Sequence, residues 1–162
     1  MAEASRDAPD VIMFPPLILL GVLLAAVALQ WLIPLGLLTA VPFAPRVGLA
    51  ILLVACGLAL SIAAVRTFAR IGTAVRPSRP STVLATTGPF AWTRNPIYVA
   101  GYPVMLAIAL TFGLDWIVPC MALAALILHH GVILREERYL EAKFGEAYRA
   151  YSARVPRYFG PF

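Results

Sequence analysis

Four apolar blocks dominate this chain: Phe14 to Leu38, Val47 to Ala69, Pro96 to Phe112 and Trp116 to Leu134. Each reaches the roughly 17 residues that a helix needs to cross the hydrocarbon of a bilayer. In lipid every backbone N–H and C=O must find its partner within the chain, so blocks of this kind are restricted to helices. A soluble domain of 162 residues is not 61% hydrophobic with only 13% charged residues. The sequence therefore predicts one all-α integral membrane domain over 1–162, with about four transmembrane helices. Residues 14–69 hold two N-terminal spans. Residues 88–162 hold a C-terminal helical hairpin and a cytoplasmic C-terminal segment.

Local signals punctuate the blocks. Pro15 and Pro16 suit a helix start, and Pro34 kinks or ends the first span. Thr39 to Arg46, with Pro42 and Pro45, reads as a tight turn, and Gly113-Leu114-Asp115 as another. Gly57, Ala59 and Ser61 make a small-residue stripe that lets a neighbouring helix approach closely. From Leu126 to Phe144 there is no proline, so span four is expected to run on as a helix beyond the membrane, with Gly145 as its C-cap.

Charge sets the orientation. Eleven of the thirteen Lys/Arg residues fall within 66–94 and 135–157, each beside an apolar block. Those two segments are separated by two spans, so the positive-inside rule puts both, and both termini, on the cytoplasmic face of the cytoplasmic (inner) membrane. The net charge of +5 is thus a topology signal, with attraction to anionic headgroups, and not a nucleic-acid footprint. Cys56 and Cys120 lie within apolar blocks and read as packing residues. No His, Cys, Asp or Glu set has metal-ligand spacing, so no metal is expected.

Polar residues bracket the hairpin. Arg94-Asn95-Pro96 precedes span three, with Tyr98 one turn in. It reads either as a basic anchor before a helix-starting proline, or as an anion site with free N–H donors. Arg135-Glu136-Glu137-Arg138 follows span four. On a continuous α-helix His129 would stack above Glu136 and His130 above Glu137, while the two glutamates diverge by about 100°. One carboxylate can then face a pocket while its neighbour pairs with arginine. The alternative is a solvated helix end, and for the histidines a satisfied interface position. Tyr148, Tyr151 and Arg154, at spacing three, fit one face of a short amphipathic helix.

Taken in order, these pieces resemble a known family. Gly88-Pro89-Phe90-Ala91-Trp92-Thr93-Arg94-Asn95-Pro96-Ile97-Tyr98-Val99 is followed by a hairpin and Glu136-Glu137-x-x-Leu140. Phe144-Gly145-x-x-Tyr148-x-x-Tyr151, Arg154-Val155-Pro156 and a final Pro161-Phe162 complete the set. The set is similar to the isoprenylcysteine carboxyl methyltransferases, and more broadly to small membrane methyltransferases that include phospholipid N-methyltransferases. The resemblance covers 88–162. It implies S-adenosylmethionine held by Arg94, Asn95, Tyr98, Gly101, Glu136 and Glu137 at the cytoplasmic end of the hairpin. It implies a lipid or lipophilic acceptor met by Trp92, Tyr151 and Arg154, with Arg154 and Glu137 at the reaction centre. Two positions depart from the pattern: Asn95 stands where the family has His, and Ala100 where it has Gly, with Gly101 one place later. Asn95 cannot titrate near neutral pH, which removes any acid–base role there. An NADPH-dependent membrane reductase of the sterol reductase type has a similar Arg-His-Pro-x-Tyr but is far longer. A non-catalytic membrane scaffold would account for the two departures.

Overall fold

The computed structural model describes residues 9, 11–12, 14–73 and 80–159. The loop positions Arg76, Pro77 and Arg79, the tail residues Glu3, Arg6, Asp7 and Asp10, and Gly160-Pro161-Phe162 lie outside them. Among the described residues there is no strand. The helices are α1 Pro15–Leu32, α2 Phe43–Ile71, α3 Pro96–Phe112, α4 Ile117–Leu128, α5 Leu134–Phe144 and α6 Glu146–Ser152. A 3-10 turn, Gly88–Ala91, leads towards α3, and a π-helical turn, His129–Ile133, joins α4 to α5. Ile117–Phe144 is thereby one rod of 28 residues.

Three helices are long and apolar enough to cross a membrane: α1, α2 and the Ile117–Phe144 rod. Helix α3, at 17 residues, is shorter. It spans about 26 Å at 1.5 Å per residue, and lies along α2. Helix α1 packs on α4, while α1 and α2 make almost no direct contact with each other.

Small residues set the α2–α3 crossing. A Cβ on Gly57 would stand 2.8 Å from the Ala100 carbonyl oxygen and 2.8 Å from Val104 Cγ2. Only hydrogen fits there, which lets the two backbones meet. Ala100, 1% exposed, is therefore part of this seam. Helix α2 begins at Phe43, inside the stretch expected to be a turn, because Pro42 sits at its N-cap and Pro45 is tolerated in its first turn.

At the end away from the basic segments, the turns are tied by Asp115. Its carboxylate accepts the N–H groups of Gly36 (3.0 Å) and Leu38 (2.7 Å) and the Gln30 amide (3.2 Å). Its own N–H donates back to Gln30 Oε1 at 3.0 Å. Nearby, the Trp116 indole donates to the Ile33 carbonyl at 2.8 Å. These bonds pay the hydrogen-bonding demand of a loop at a bilayer boundary. The apolar core between them and the opposite end includes Ile18, Val22, Met105, Ile117, Met121 and Leu128.

Candidate active site

The opposite end holds a cavity of about 260 Å³, near the lower edge of small-molecule sites at about 300 Å³. Its wall gathers the start of α1 (Phe14, Pro15, Pro16), the end of α2 (Phe68) and the start of α3 (Arg94 to Tyr98). Leu84 and Phe90 ahead of α3, Glu136, Glu137 and Leu140 of α5, and Tyr148 and Tyr151 of α6 also line it. Apolar and charged walls thus face one space.

Glu137 is the electrostatic centre. Arg157 grips it with two bonds, Nε to Oε1 at 2.8 Å and Nη2 to Oε2 at 2.7 Å. Arg94 Nη2 approaches Oε1 at 3.3 Å, and both the Arg94 and Glu137 side chains are only 13% exposed. A forked, charge-assisted pair of this kind is strong and fixes orientation. It holds the Arg157 guanidinium even further above its usual range. Arg94 also reaches the Tyr148 hydroxyl at 3.5 Å. Burial and the Glu137 charge together push the Tyr148 phenol up to about 12, so it stays neutral. Tyr151 is raised in the same direction, chiefly by burial, and donates to the Phe90 carbonyl at 2.7 Å.

Glu136 is placed differently. Its Oε1 accepts the Tyr98 hydroxyl at 2.8 Å. Among the described residues no lysine or arginine pairs with it. The two adjacent carboxylates therefore live in opposite electrostatic surroundings.

The segment after α6 straps the site. Arg94 N–H donates to the Pro156 carbonyl at 2.9 Å. The Arg157 carbonyl accepts both Thr93 Oγ1 (3.1 Å) and Asn95 Nδ2 (3.0 Å). Asn95, on the cavity wall and 8% exposed, is thus a tie between the α3 entrance and this strap.

Arg94, Asn95, Tyr98, Glu136, Glu137 and Tyr151 come together on the cavity wall. Three other expected site residues do not. Arg154 is exposed, and its Nε donates back to the Ala150 carbonyl of α6 at 3.1 Å. The reason is that α6 ends at Ser152, so the spacing-three face carries Tyr148 and Tyr151 inward but stops before Arg154. Arg157 takes the inward place instead. Trp92, 76% exposed, directly follows the 3-10 turn and does not line the cavity. Gly101 lies off the cavity as well and packs against α1, where a Cβ would meet Leu19 Cδ1 at 3.3 Å. The stacking of His129 over Glu136 is also corrected. The π turn adds about one residue to the winding, rotating α5 by about 100° relative to an unbroken α-helix. His129 bonds the Tyr158 hydroxyl at 2.8 Å and rests edge-on against His130.

Sequence reasoning missed Arg157, the α1 contribution to the wall, and the π turn. Arg157 carried one usable signal, its place directly after the Pro that ends the Arg154-Val155-Pro156 motif. Among the described residues no cluster of His, Cys, Asp or Glu could hold a metal.

One donor on the wall is unused: among the described residues Arg94 Nε is buried without a hydrogen-bond partner, and a buried orphan donor of this kind calls for an acceptor. A family model described as Phospholipid methyltransferase matches residues 45–147. That stretch runs from the start of α2 to the first residues of α6 and carries most of the cavity wall. No curated protein and no solved structure matches the chain.

Proposed function

We propose, from the premise that this chain belongs to the phospholipid methyltransferase family of membrane methyltransferases, that it uses S-adenosylmethionine to methylate a lipid or lipophilic acceptor. The observation that carries the reading is the cavity itself. It combines a buried arginine with an unused donor, two carboxylates and an apolar wall at the end of a helical bundle. When bound, S-adenosylmethionine supplies a methyl group activated by a sulfonium. Arg94 would hold its carboxylate, since its Nε has no partner among the described residues. Glu137, positioned by Arg157 and Arg94, holds the polar end of the site. Phe68, Leu84 and Leu140 offer the apolar wall and exclude water. Alignment and desolvation then supply most of what methyl transfer, an in-line displacement, asks of a protein.

Four crossings, with α3 the shortest, and both termini on the cytoplasmic side of the inner membrane complete this reading. It rests on the basic segments flanking the site end and on the α1 and α3 starts and α2 end meeting at one cavity. Phe14 at the start of α1 and Phe68 at the end of α2 both line the cavity, and an amphiphile entering from lipid would pass beside them.

The test is calorimetry of S-adenosylhomocysteine with the protein in nanodiscs. Binding that Arg94→Ala and Glu137→Gln each weaken at least tenfold, about 1.4 kcal/mol, is the expected result. Folded wild-type protein that ignores it but binds NADPH would replace this reading with a reductase. Binding of neither would leave a scaffold.

A further inference from the structure

Arg46 is the cation that the basic segments do not account for. Apart from Arg6 in the tail, it is the one Lys/Arg residue outside 66–94 and 135–157. It lies in the first turn of α2, at the end of the bundle away from the cavity. It is only 9% exposed. An arginine cannot escape burial by giving up its proton, and a buried charge at a membrane boundary is costly unless it is paired. Among the described residues no carboxylate pairs with it. Asp115, the carboxylate of this end, commits its oxygens to Gln30, Gly36 and Leu38.

What Arg46 does meet falls short of a counter-charge. Nη1 donates to the Leu110 carbonyl at 3.2 Å, and a Cβ on Gly113, the C-cap of α3, would stand 3.5 Å from the same nitrogen. Arg46 thus closes the end of α3, but a helix C-terminus carries only about half a charge. The Phe43 ring centre lies 5.7 Å from the guanidinium carbon, and a ring face accepts no forked pair of bonds. Nε is buried without a partner, and the bond to Leu110 is the one side-chain hydrogen bond that Arg46 makes among the described residues. Nε and Nη2 form the edge by which Arg157 grips both oxygens of Glu137; on Arg46 that edge is unused. The start of α2 has the same need. Pro42 at its N-cap offers no side-chain acceptor and the first turn holds no acidic residue, so its N–H groups lack partners within the helix. Helix side chains lean towards the N-terminus, which brings the guanidinium to that same end.

A phosphate diester answers both needs. It takes forked guanidinium bonds, it suits a helix N-terminus, and its single negative charge matches the one unpaired cation. The flanks point to a lipid as its source. Exposed Phe43 and Phe112 stand at the start of α2 and the end of α3, and exposed Leu49 lies one turn deeper on α2, where the glycerol and acyl chains below a headgroup would run. We propose that Arg46 and the first turn of α2 bind the phosphate of a phospholipid in the leaflet on the far side from the cavity. The bound lipid completes the charge that Leu110 only half meets, and so clasps α2 to α3. The inference concerns the other end of the bundle and is independent of what reacts in the cavity.

The test measures lipid binding to the full chain in dodecyl maltoside, by native mass spectrometry and by thermal unfolding. Dioleoyl phosphatidylglycerol should bind and raise the melting temperature more than a dioleoyl galactolipid, which has the same chains and no phosphate. Arg46→Gln should hold the tightest phosphatidylglycerol at least about tenfold more weakly (about 1.4 kcal/mol) and lose that extra stabilisation. Arg46→Lys keeps a charge but loses the fork, so it should weaken binding by a smaller factor, about threefold; this variant keeps the test open if Arg46→Gln does not fold. Arg70→Gln, at the exposed other end of α2, should keep the tight lipid. Equal stabilisation by the two lipids, or lipid affinity that both Arg46 variants leave unchanged, would reduce Arg46 to a cap on α3 and overturn the proposal. An equal loss in Arg70→Gln would mark a general charge effect and do the same. Inorganic phosphate that raises the melting temperature as far as the lipid would make this a soluble-anion site and overturn the lipid assignment.

Discussion

Arg157→Ala is a clean perturbation, because the residue does two separable jobs. Its carbonyl accepts Thr93 and Asn95, and alanine keeps that carbonyl. Its guanidinium grips Glu137, and alanine removes that alone. The side chains are 33% and 13% exposed, so the pair lies between the exposed and buried limits. Exposed pairs contribute about 0–1 kcal/mol, and breaking a fully buried one costs about 3–5 kcal/mol. Arg94, 3.3 Å from Glu137 Oε1, still compensates the charge after the substitution. The expected loss is therefore about 1–2 kcal/mol, from the geometry-weighted middle of those ranges. Glu137→Gln should cost more, about 2–4 kcal/mol, because it leaves two guanidiniums without a counter-charge. A double-mutant cycle between them, read by reversible unfolding in mixed micelles and by S-adenosylhomocysteine affinity, isolates the pair. Coupling of about 1 kcal/mol or more is expected. A coupling near zero in both readouts would refute the idea that Arg157 organises the site through its side chain and leave the strap as a backbone device.

Further expectations follow from other parts of the fold. Gly57→Ala should cost about 1–3 kcal/mol of unfolding free energy by overpacking the α2–α3 seam, and Gly57→Leu more; an alanine variant as stable as wild type would contradict the 2.8 Å approach. Asp115→Ala should lower stability by about 2–3 kcal/mol, because two backbone N–H groups and Gln30 lose their acceptor, while S-adenosylhomocysteine affinity at the other end stays within twofold of wild type (roughly 0.4 kcal/mol). Tyr148, raised to about 12, should make stability fall as pH climbs. A group with a raised folded pKa contributes fully below its unfolded value near 10 and loses that contribution as pH rises through the folded one. Tyr148→Phe should accordingly flatten the alkaline side of the stability curve between those limits, with little change at neutral pH.

The helices were legible because membrane crossing leaves few options. Pro15 starts α1, Gly113 with φ of 66° ends α3 and Gly145 with φ of 53° ends α5, each where backbone chemistry puts it. The cluster of Arg94, Tyr98, Glu136 and Glu137 was legible because charges at an apolar boundary are rare enough to point at one another. What failed was aim. Arg154 and Arg157 carry the same charge three residues apart, and only the end of α6 at Ser152 decides which turns inward. Gly101 fits a helix seam as well as a cofactor approach, and composition cannot say which. Asp115 read as a turn residue, because its partners Gln30, Gly36 and Leu38 lie more than seventy positions away in sequence.

The π turn explains how one uncharged irregularity governs a charged site. Because it shifts the winding by about 100°, straightening His129–Ile133 into α-helix would swing Glu136 off Tyr98 and Glu137 off Arg157 together. The turn is also tied to the cavity from outside. The Gly131 carbonyl accepts the Ile12 N–H at 3.1 Å, and a Cβ on Gly131 would meet Ile12 Cδ1 at 3.4 Å. Ile12 precedes the Phe14, Pro15 and Pro16 wall by two residues. The segment that anchors on the π turn therefore delivers the α1 side of the cavity, and the same turn sets the rotation of α5. The α1 side of the wall and the facing of the two carboxylates thus both depend on one element, in the part of the rod that a purely α-helical reading of Leu126 to Phe144 passes over.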